Sequence, residues 1–202
     1  MAAGAASAGD DEAKWNIASK APELTVYERL HDGSKLREFK AVGLIALPPE
    51  VVHRVIDDVE EFPHFVPYVV EARVLFRDAS SRVSYQRISP PLMGDRDYTI
   101  RVRFETRRPP GGALCYCNRW QTANELGPPE KRGVTRVKIT EGSWLLEPTP
   151  DGRQTRATYT IFSDSGASLP AYLINAASRT AIPKLFDAIR KQARLPKYSA
   201  AR

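Results

Sequence analysis

The most informative segment of the chain is Thr158–Arg190, which reads TYTIFSDSGASLPAYLINAASRTAIPKLFDAIR. It begins with β-branched and aromatic residues, which are typical of a strand, and continues into a tight turn where Gly166 can adopt a positive φ. A long, alanine-rich helix follows, because Ser168 can cap it and Pro170 suits a first helical turn. The segment therefore predicts a final strand and then a helix that lies across the sheet.

The apolar residues of this helix recur at mostly helical spacing, and they are Leu169, Leu173, Ile174, Ile182, Leu185, Phe186 and Ile189. Pro183 is expected to bend the helix without ending it, because helix-forming residues continue after it. Two interpretations follow from the pattern. The helix either packs on a filled core as an ordinary amphipathic helix, or closes a space beneath it.

Length and composition predict one soluble globular domain. The chain has 202 residues, of which 42% are hydrophobic and 27% charged. It contains no apolar run of the roughly 20 residues that span a bilayer. Residues 1–13 are small or acidic and lack the features of a signal peptide, so we expect a disordered leader at 1–13, a domain at 14–196 and a tail at 197–202. The expected location is the cytoplasm, or the periplasm or exterior if an upstream signal was removed.

The net charge of +6 does not by itself predict a nucleic-acid partner. The 30 basic residues are spread among 24 acidic ones in runs of at most two, and we expect a monomer that binds no nucleic acid. Basic residues are frequent near the C-terminus, where they suit either transient contact with an anionic membrane or a solvated helix face. They are Arg179, Lys184, Arg190, Lys191, Arg194, Lys197 and Arg202.

No arrangement of cysteine or histidine predicts catalysis, a metal or a cofactor. Cys115 and Cys117 would share one face of a strand, and no second Cys or His pair lies at ligand spacing, so two packed thiols are favoured over a disulfide. His31, His53 and His64 are far apart and have no neighbouring acid or nucleophile in a catalytic order. We expect each histidine to be a surface or capping residue.

The rest of the chain predicts one antiparallel sheet of about seven strands. A helix is expected at Asp11–Ser19, a hairpin at Leu24–Leu30 and Leu36–Leu47, a helix at Glu50–Val59 and a compact turn at Phe62–Pro67, followed by strands almost continuously to Glu147. In one strand Tyr98, Ile100, Val102 and Phe104 alternate with polar residues and should face inward. Such a sheet with one long helix leaves room for a small apolar molecule.

Several segments together resemble the START domain, the lipid-transfer module of the helix-grip superfamily. They are Trp15 in the expected first helix, Glu38–Ala41, Gly94-Asp95-Arg96-Asp97-Tyr98, Gly142-Ser143-Trp144 and Asp164–Asn175. The resemblance covers Trp15 to about Arg190. It implies an α+β helix-grip fold, in which a curved antiparallel sheet wraps a C-terminal helix around a hydrophobic tunnel. It also implies that the tunnel takes a single lipid, such as a sterol, phospholipid or ceramide, and that the protein transfers this lipid between membranes without catalysis.

The resemblance also implies which residues contact the lipid. The expected walls are Tyr98, Ile100, Val102, Phe104, Trp144, Tyr159 and either Ile161 or Phe162, and the expected lid is Leu169, Tyr172, Leu173, Ala176, Ala177 and Thr180. Any one of these side chains could instead fill a core. Arg96 either stabilises the entry to its strand or meets the polar head of the ligand. The Phe62–Pro67 loop is expected at one end of the cavity.

Two other functions fit the same fold. A polyketide aromatase/cyclase would need polar groups in the cavity, for which Arg96, Tyr98, Gln86 and Tyr85 are the candidates. A protein-interaction module related to ribosome-associated toxins is less consistent with the START-like segments. For a lipid carrier, we expect the last helix and a nearby loop, such as Pro109–Gly112, to shift and admit the ligand.

Overall fold

The computed structural model describes residues 15–108, 112, 114–165 and 169–199. It contains ten strands, and the helices lie in two groups, one after the third strand and one at the end of the chain. The strands are β1 (Asn16–Ala21), β2 (Leu24–Leu30), β3 (Arg37–Ile45), β4 (Val69–Arg77), β5 (Ser81–Ile88), β6 (Arg96–Arg107), β7 (Cys115–Thr122), β8 (Thr135–Arg136), β9 (Ile139–Pro148) and β10 (Thr155–Asp164).

All ten strands belong to one sheet. Their order is β1-β2-β3-β10-β9-β7-β6-β5-β4, every pair on this path is antiparallel, and the short β8 pairs in parallel with the start of β6. The final strand therefore lies inside the sheet, because β10 pairs with β3 on one side and β9 on the other. The sheet is curved and holds a long C-terminal helix, which confirms the helix-grip fold class.

The expected helix at Asp11–Ser19 is wrong for its described part. Residues 16–21 form strand β1, which pairs with β2 across a two-residue turn, and Trp15 precedes this strand. Ala, Ser and Lys residues here favour a helix locally, but pairing with β2 overrides that preference. Trp15 is not part of a helix. Its ring packs against Arg29, whose guanidinium carbon lies 4.3 Å from the ring centroid. Strand β1 is one of the additional strands in a sheet of ten, where about seven were expected.

The helices are α1 (Pro49–Asp57), α2 (Phe62–Phe65), α3 (Ala171–Gln192) and α4 (Pro196–Ser199), with single 3-10 turns at Val59–Glu61 and Asn124–Leu126. Helix α1 buries Val51, Val52, Val55 and Ile56, as its spacing predicts. Helix α3 begins directly after Pro170 and continues through Pro183 as expected. The proposed cap Ser168 lies outside the described residues. None of the described helices has the length and hydropathy that a membrane span requires.

The C-terminal half of α3 is packed tightly on the sheet, whereas its N-terminal half is not. Phe186 is fully buried, and its ring centroid lies 5.4 Å from that of Trp144. Gly43 permits this approach, because a Cβ there would lie 2.8 Å from a ring carbon of Phe186. Near the start of the same helix Tyr172 is 69% exposed and Leu173 is 43% exposed. The C-terminal half of the helix is therefore anchored on the sheet, whereas its first turn carries exposed apolar side chains.

Candidate ligand cavity

A cavity of about 310 Å³ lies between the inner face of the sheet and α3. Its lining is mostly apolar and aromatic, and comes from β5, β6, β7, β9, β10, α3, the α2 region and the turn before β6. The lining residues are Ile56, Phe62, Phe65, Val66, Pro67, Tyr68, Val69, Arg82, Gln86, Ile88, Pro90, Met93, Arg96, Tyr98, Ile100, Val102, Asn118, Trp120, Val137, Thr140, Trp144, Tyr159, Ile161, Ser163, Ser165, Ile174, Ala177, Ser178, Ala181, Ile182, Leu185 and Ile189.

Strand alternation selects which residues face this cavity. On β6 the inward residues are Arg96, Tyr98, Ile100 and Val102, and the residues between them face the other side of the sheet. The row from Arg96 to Val102 is roughly 20 Å long at about 3.3 Å per residue. One strand thus provides a wall that begins with a charged residue and continues with an aromatic and an aliphatic surface.

Three aromatic rings form the next part of the wall. The Tyr159 ring centroid lies 5.8 Å from that of Trp120 and 4.5 Å from that of Trp144. Gly142 makes space for Trp120, since a Cβ at this glycine would lie 2.5 Å from the indole atom Cζ2. Burial raises the pKa of Tyr159 and raises that of Tyr98 to about 12. Both phenols are therefore neutral at physiological pH.

Helix α3 covers the cavity with one narrow face. Ile174, Ala177, Ala181 and Leu185 line the cavity at intervals of three and four residues, which is the spacing of one helical face. The two alanines are small, so the helix backbone crosses the sheet without filling the volume below it. Asn175 ties this part of the helix to β3, because its Oδ1 accepts a hydrogen bond from the backbone N–H of Arg37 at 3.1 Å.

Polar groups occur at both ends of the inward row of β6. At the end near Val102, which we call the Arg82 end, the buried Arg82 forms an ion pair with Asp57, and burial lowers the pKa of Arg82 to about 10. The Oδ1 atom of Asn118 lies 3.2 Å from Nε2 of His53. The Nδ2 group of Asn118 has no hydrogen-bond partner. This end is polar, but its buried cation has a counter-ion.

The opposite end, which we call the Arg96 end, includes Met93, Arg96, Ser163 and Ser165. Arg96 is only 3% exposed and donates from Nη1 to the backbone carbonyls of Met93 and, at 2.9 Å, of Gly94. Burial lowers its pKa. Among the described residues, its Nε and the hydroxyl of Ser165 have no hydrogen-bond partner. This end therefore has a buried cation with unused donors.

The structure places part of the sequence-derived site in the cavity. The residues that line it are Arg96, Tyr98, Ile100, Val102, Trp144, Tyr159 and Ala177, together with Ile161 as the alternative to Phe162. Phe162 faces the opposite side of the sheet and stacks on His31 at a centroid distance of 3.6 Å. Phe104 lies beyond the Arg82 end, at 6.4 Å from the ring of His53.

The expected lid face is rotated away from the cavity. Leu169, Tyr172, Leu173, Ala176 and Thr180 do not line it, and the last four are exposed. The apolar Leu169, Tyr172 and Leu173 suggested the wrong face, because a large apolar side chain need not be buried. Successive residues of a helix are rotated by about 100° around its axis, so neighbouring positions point in different directions. On α3 the cavity is lined instead by Ile174, Ser178 and Ala181.

Other lining residues were missed for identifiable reasons. Arg82 and Ile88 share one face of β5 with Gln86, which was expected in the cavity for the cyclase alternative, so the period of that strand could have indicated them. His53 is half-buried and stacks on Tyr116 at 4.5 Å, which corrects its expected surface or capping role. The Phe62–Pro67 segment does lie at the cavity, as expected. Of the expected gate Pro109–Gly112, only Gly112 is within the described residues.

Comparisons with known proteins agree with this geometry. A model of the family described as "Polyketide cyclase / dehydrase and lipid transport" matches residues 45–190. The chain is 28% identical over 174 residues to the phosphatidylcholine transfer protein of Rattus norvegicus, covering 85% of this chain and 79% of that protein.

Two solved structures show the same architecture. The STAR-related lipid transfer protein from Xanthomonas axonopodis matches with a TM-score of 0.80 and 24% identity, covering 90% of this chain and 99% of that chain. The Zhui aromatase/cyclase from Streptomyces matches with a TM-score of 0.58 and 15% identity, covering 78% and 93%. The chain therefore belongs to the polyketide cyclase/dehydrase and lipid transport family, with the helix-grip fold of the START-type lipid transfer proteins.

Proposed function

We propose that this protein binds one lipid molecule in the cavity beneath α3 and carries it between membranes without changing it chemically. The observation that carries the proposal is a mostly apolar space of about 310 Å³ between the sheet and α3, beside the hydrophobic core. Each methylene group moved from water into such a space stabilises the complex by about 0.8 kcal/mol. The named relative, a phosphatidylcholine transfer protein, supports a lipid as the ligand class.

The lipid chain would contact the wall formed by Tyr98, Ile100, Val102, Trp144 and Tyr159. The relative is named for phosphatidylcholine, so a phospholipid is favoured over a sterol. The volume lies at the lower end of the range for small-molecule pockets. We therefore expect a two-chain lipid to enlarge the cavity by displacing the N-terminal half of α3.

Lipid exchange would take place at this loosely packed half of the helix. Tyr172 and Leu173 are exposed near its start, and Leu92 is fully exposed in the turn next to the cavity residue Met93. Exposed apolar residues beside a lipid cavity suit transient contact with a membrane surface. Movement of the helix at that surface would open the cavity into the bilayer, so the lipid need not cross water.

Among the described lining residues, no acid or base is suited to cyclase chemistry. None of them is Asp, Glu or His, and the pKa of Tyr98 is about 12. General acid–base catalysis works best with a pKa near the operating pH. Of the candidate groups, Tyr85 lies on the opposite face of the sheet and donates to Asp97 at 3.2 Å. These observations favour a carrier over an aromatase/cyclase.

Two measurements test the proposal. The first is mass spectrometry of lipids extracted from the purified protein. The second is transfer of fluorescent phosphatidylcholine from self-quenched donor vesicles to unlabelled acceptor vesicles. We expect a co-purifying lipid and transfer that rises with protein concentration. Absence of both would contradict the proposal, whereas turnover of a poly-ketone substrate would favour the cyclase.

A further inference from the structure

Arg96 is a buried cation that has no counter-ion in the described structure. It is 3% exposed, and its described hydrogen bonds are those from Nη1 to the carbonyls of Met93 and Gly94. A buried charge without an opposite charge is costly, even when neutral groups solvate it in part. Arg82, the other buried arginine of the cavity, is different because it is paired with Asp57.

The two acidic neighbours of Arg96 in sequence are engaged elsewhere. Asp95 accepts a hydrogen bond from Arg87 at 2.6 Å. Asp97 faces the other side of the sheet, where it accepts from Nε of Arg136 at 2.7 Å. The charge of Arg96 is therefore left for a group that enters the cavity.

A second unused donor lies at the same end of the cavity. The hydroxyl of Ser165 is buried, lines the cavity and has no hydrogen-bond partner in the part of the chain that the structure describes. Two successive backbone N–H groups link the strands that carry these residues. The N–H of Val137 donates to the carbonyl of Asp97, next to Arg96, at 2.9 Å, and the N–H of Lys138 donates to the carbonyl of Asp164, next to Ser165, at 3.0 Å. Arg96 and Ser165 therefore lie on either side of the Val137–Lys138 backbone, and both line the cavity.

The donors at this end select the chemistry of the ligand. A guanidinium group only donates hydrogen bonds, and it binds carboxylate and phosphate with particular strength. A neutral lipid with a hydroxyl head would leave the charge of Arg96 uncompensated. The wall that leads away from Arg96 is apolar, so the group that enters must be attached to a hydrocarbon chain.

We propose that Arg96 and Ser165 form a subsite for the oxyanion of an amphiphilic lipid, a carboxylate or a phosphate, whose chain lies along Tyr98, Ile100 and Val102. This inference rests on the proposed lipid-binding function and adds the chemistry of the ligand's polar end. The hydrogen bonds to Met93 and Gly94 hold the guanidinium in place, and its remaining donors serve the ligand.

The test uses two pairs of lipids that differ only in the acidic group. Binding of oleate is compared with that of oleyl alcohol, and binding of phosphatidic acid with that of diacylglycerol carrying the same chains, all from phosphatidylcholine vesicles. The wild-type protein should prefer the acidic member of at least one pair by roughly tenfold or more, because charge-assisted hydrogen bonds are the strong ones. Arg96→Met should reduce that preference to near one.

The matched control is Arg101→Met, which removes an exposed arginine from the outer face of the same strand and should keep the preference. Thermal unfolding verifies that each variant is folded. If Arg96→Met does not fold, Arg96→Lys and Ser165→Ala replace it, and each should reduce the preference in part, because lysine lacks the planar fork.

Four outcomes would contradict parts of the proposal. An unchanged preference in Arg96→Met, or in both replacement variants, overturns the role of Arg96. Stabilisation of the wild-type protein by inorganic phosphate alone, as strong as that by the acidic lipid, overturns the role of the chain. Equal binding of acidic and neutral lipids by the wild-type protein overturns only the oxyanion subsite. Absence of both a co-purifying lipid and phosphatidylcholine transfer overturns the proposed function itself.

Discussion

Filling the cavity from α3 should abolish lipid transfer without unfolding the protein. Ala177 lines the cavity, and the adjacent Ala176 is exposed on the outer face of the same helix. Ala177→Phe would place an aromatic ring in the space that we assign to the lipid chain. Ala176→Phe adds the same ring to the same helix but directs it toward solvent, so it is a matched control.

The magnitude follows from the ligand volume that the ring would take. If the ring displaces three methylene groups of the lipid chain, the loss is about 2.4 kcal/mol at about 0.8 kcal/mol each. This corresponds to roughly fiftyfold weaker binding. Filling a cavity commonly stabilises a fold by about 0.5–2 kcal/mol. We therefore expect Ala177→Phe to unfold at the same or a higher urea concentration than the wild-type protein.

The assay is transfer of fluorescent phosphatidylcholine between vesicles, with urea unfolding followed by circular dichroism on the same samples. The expected result is strongly reduced transfer for Ala177→Phe and unchanged transfer for Ala176→Phe. If Ala177→Phe transferred lipid at the wild-type rate, the assignment of the cavity to the lipid would be refuted. An equal loss in both variants would show that the helix surface, and not the space beneath it, is responsible.

Three further predictions concern stability. Gly142→Ala should destabilise the fold by about 1–3 kcal/mol in urea unfolding, because its Cβ would collide with Trp120; an unchanged midpoint would contradict this packing. Glu28→Gln should destabilise the fold at pH 7, because a hydrogen bond from Arg179 stabilises the charged form of Glu28 and lowers its pKa. This contribution to stability is present above the ordinary pKa of 4.5 and should vanish as the pH falls through the lowered pKa. A difference in unfolding free energy between variant and wild type that is equally large at acid pH would refute it. Burial lowers the pKa of His53, so wild-type stability should fall as the pH decreases below 6.5, and His53→Gln should reduce that fall; identical pH profiles would count against this.

The elements of the fold could be predicted where a local pattern has a clear period. Strand β10 and helix α3 follow in the expected order, and α1 buries the valines that its spacing indicates. Strand β1 could not be predicted in this way. It is short and almost wholly exposed, so it carries no apolar alternation, and pairing with β2 determines its conformation.

More of the expected wall residues than of the expected cover residues line the cavity. On β6 a period of two leaves only two faces to choose from, and the apolar one includes Tyr98, Ile100 and Val102. On α3 the helix can turn any side toward the sheet by rotation about its axis. The apolar character of Tyr172 and Leu173 suggested that their side is buried, although both are exposed in the structure. Only the contacts of the C-terminal half of the helix determine which face turns toward the sheet.

The residues alone indicate the order of the strands and helices, the apolar inner surface and the START-like segments, because these depend on neighbours in sequence. They also show a charged Arg96 at the start of β6, but not whether its charge is compensated. That depends on where Asp95 and Asp97 find partners, and on which residues the sheet brings beside Ser165. The partner of a charge and the space between elements both depend on groups that are distant in sequence, so only the folded chain shows the cavity beneath α3 and a buried Arg96 without a counter-ion among the described residues.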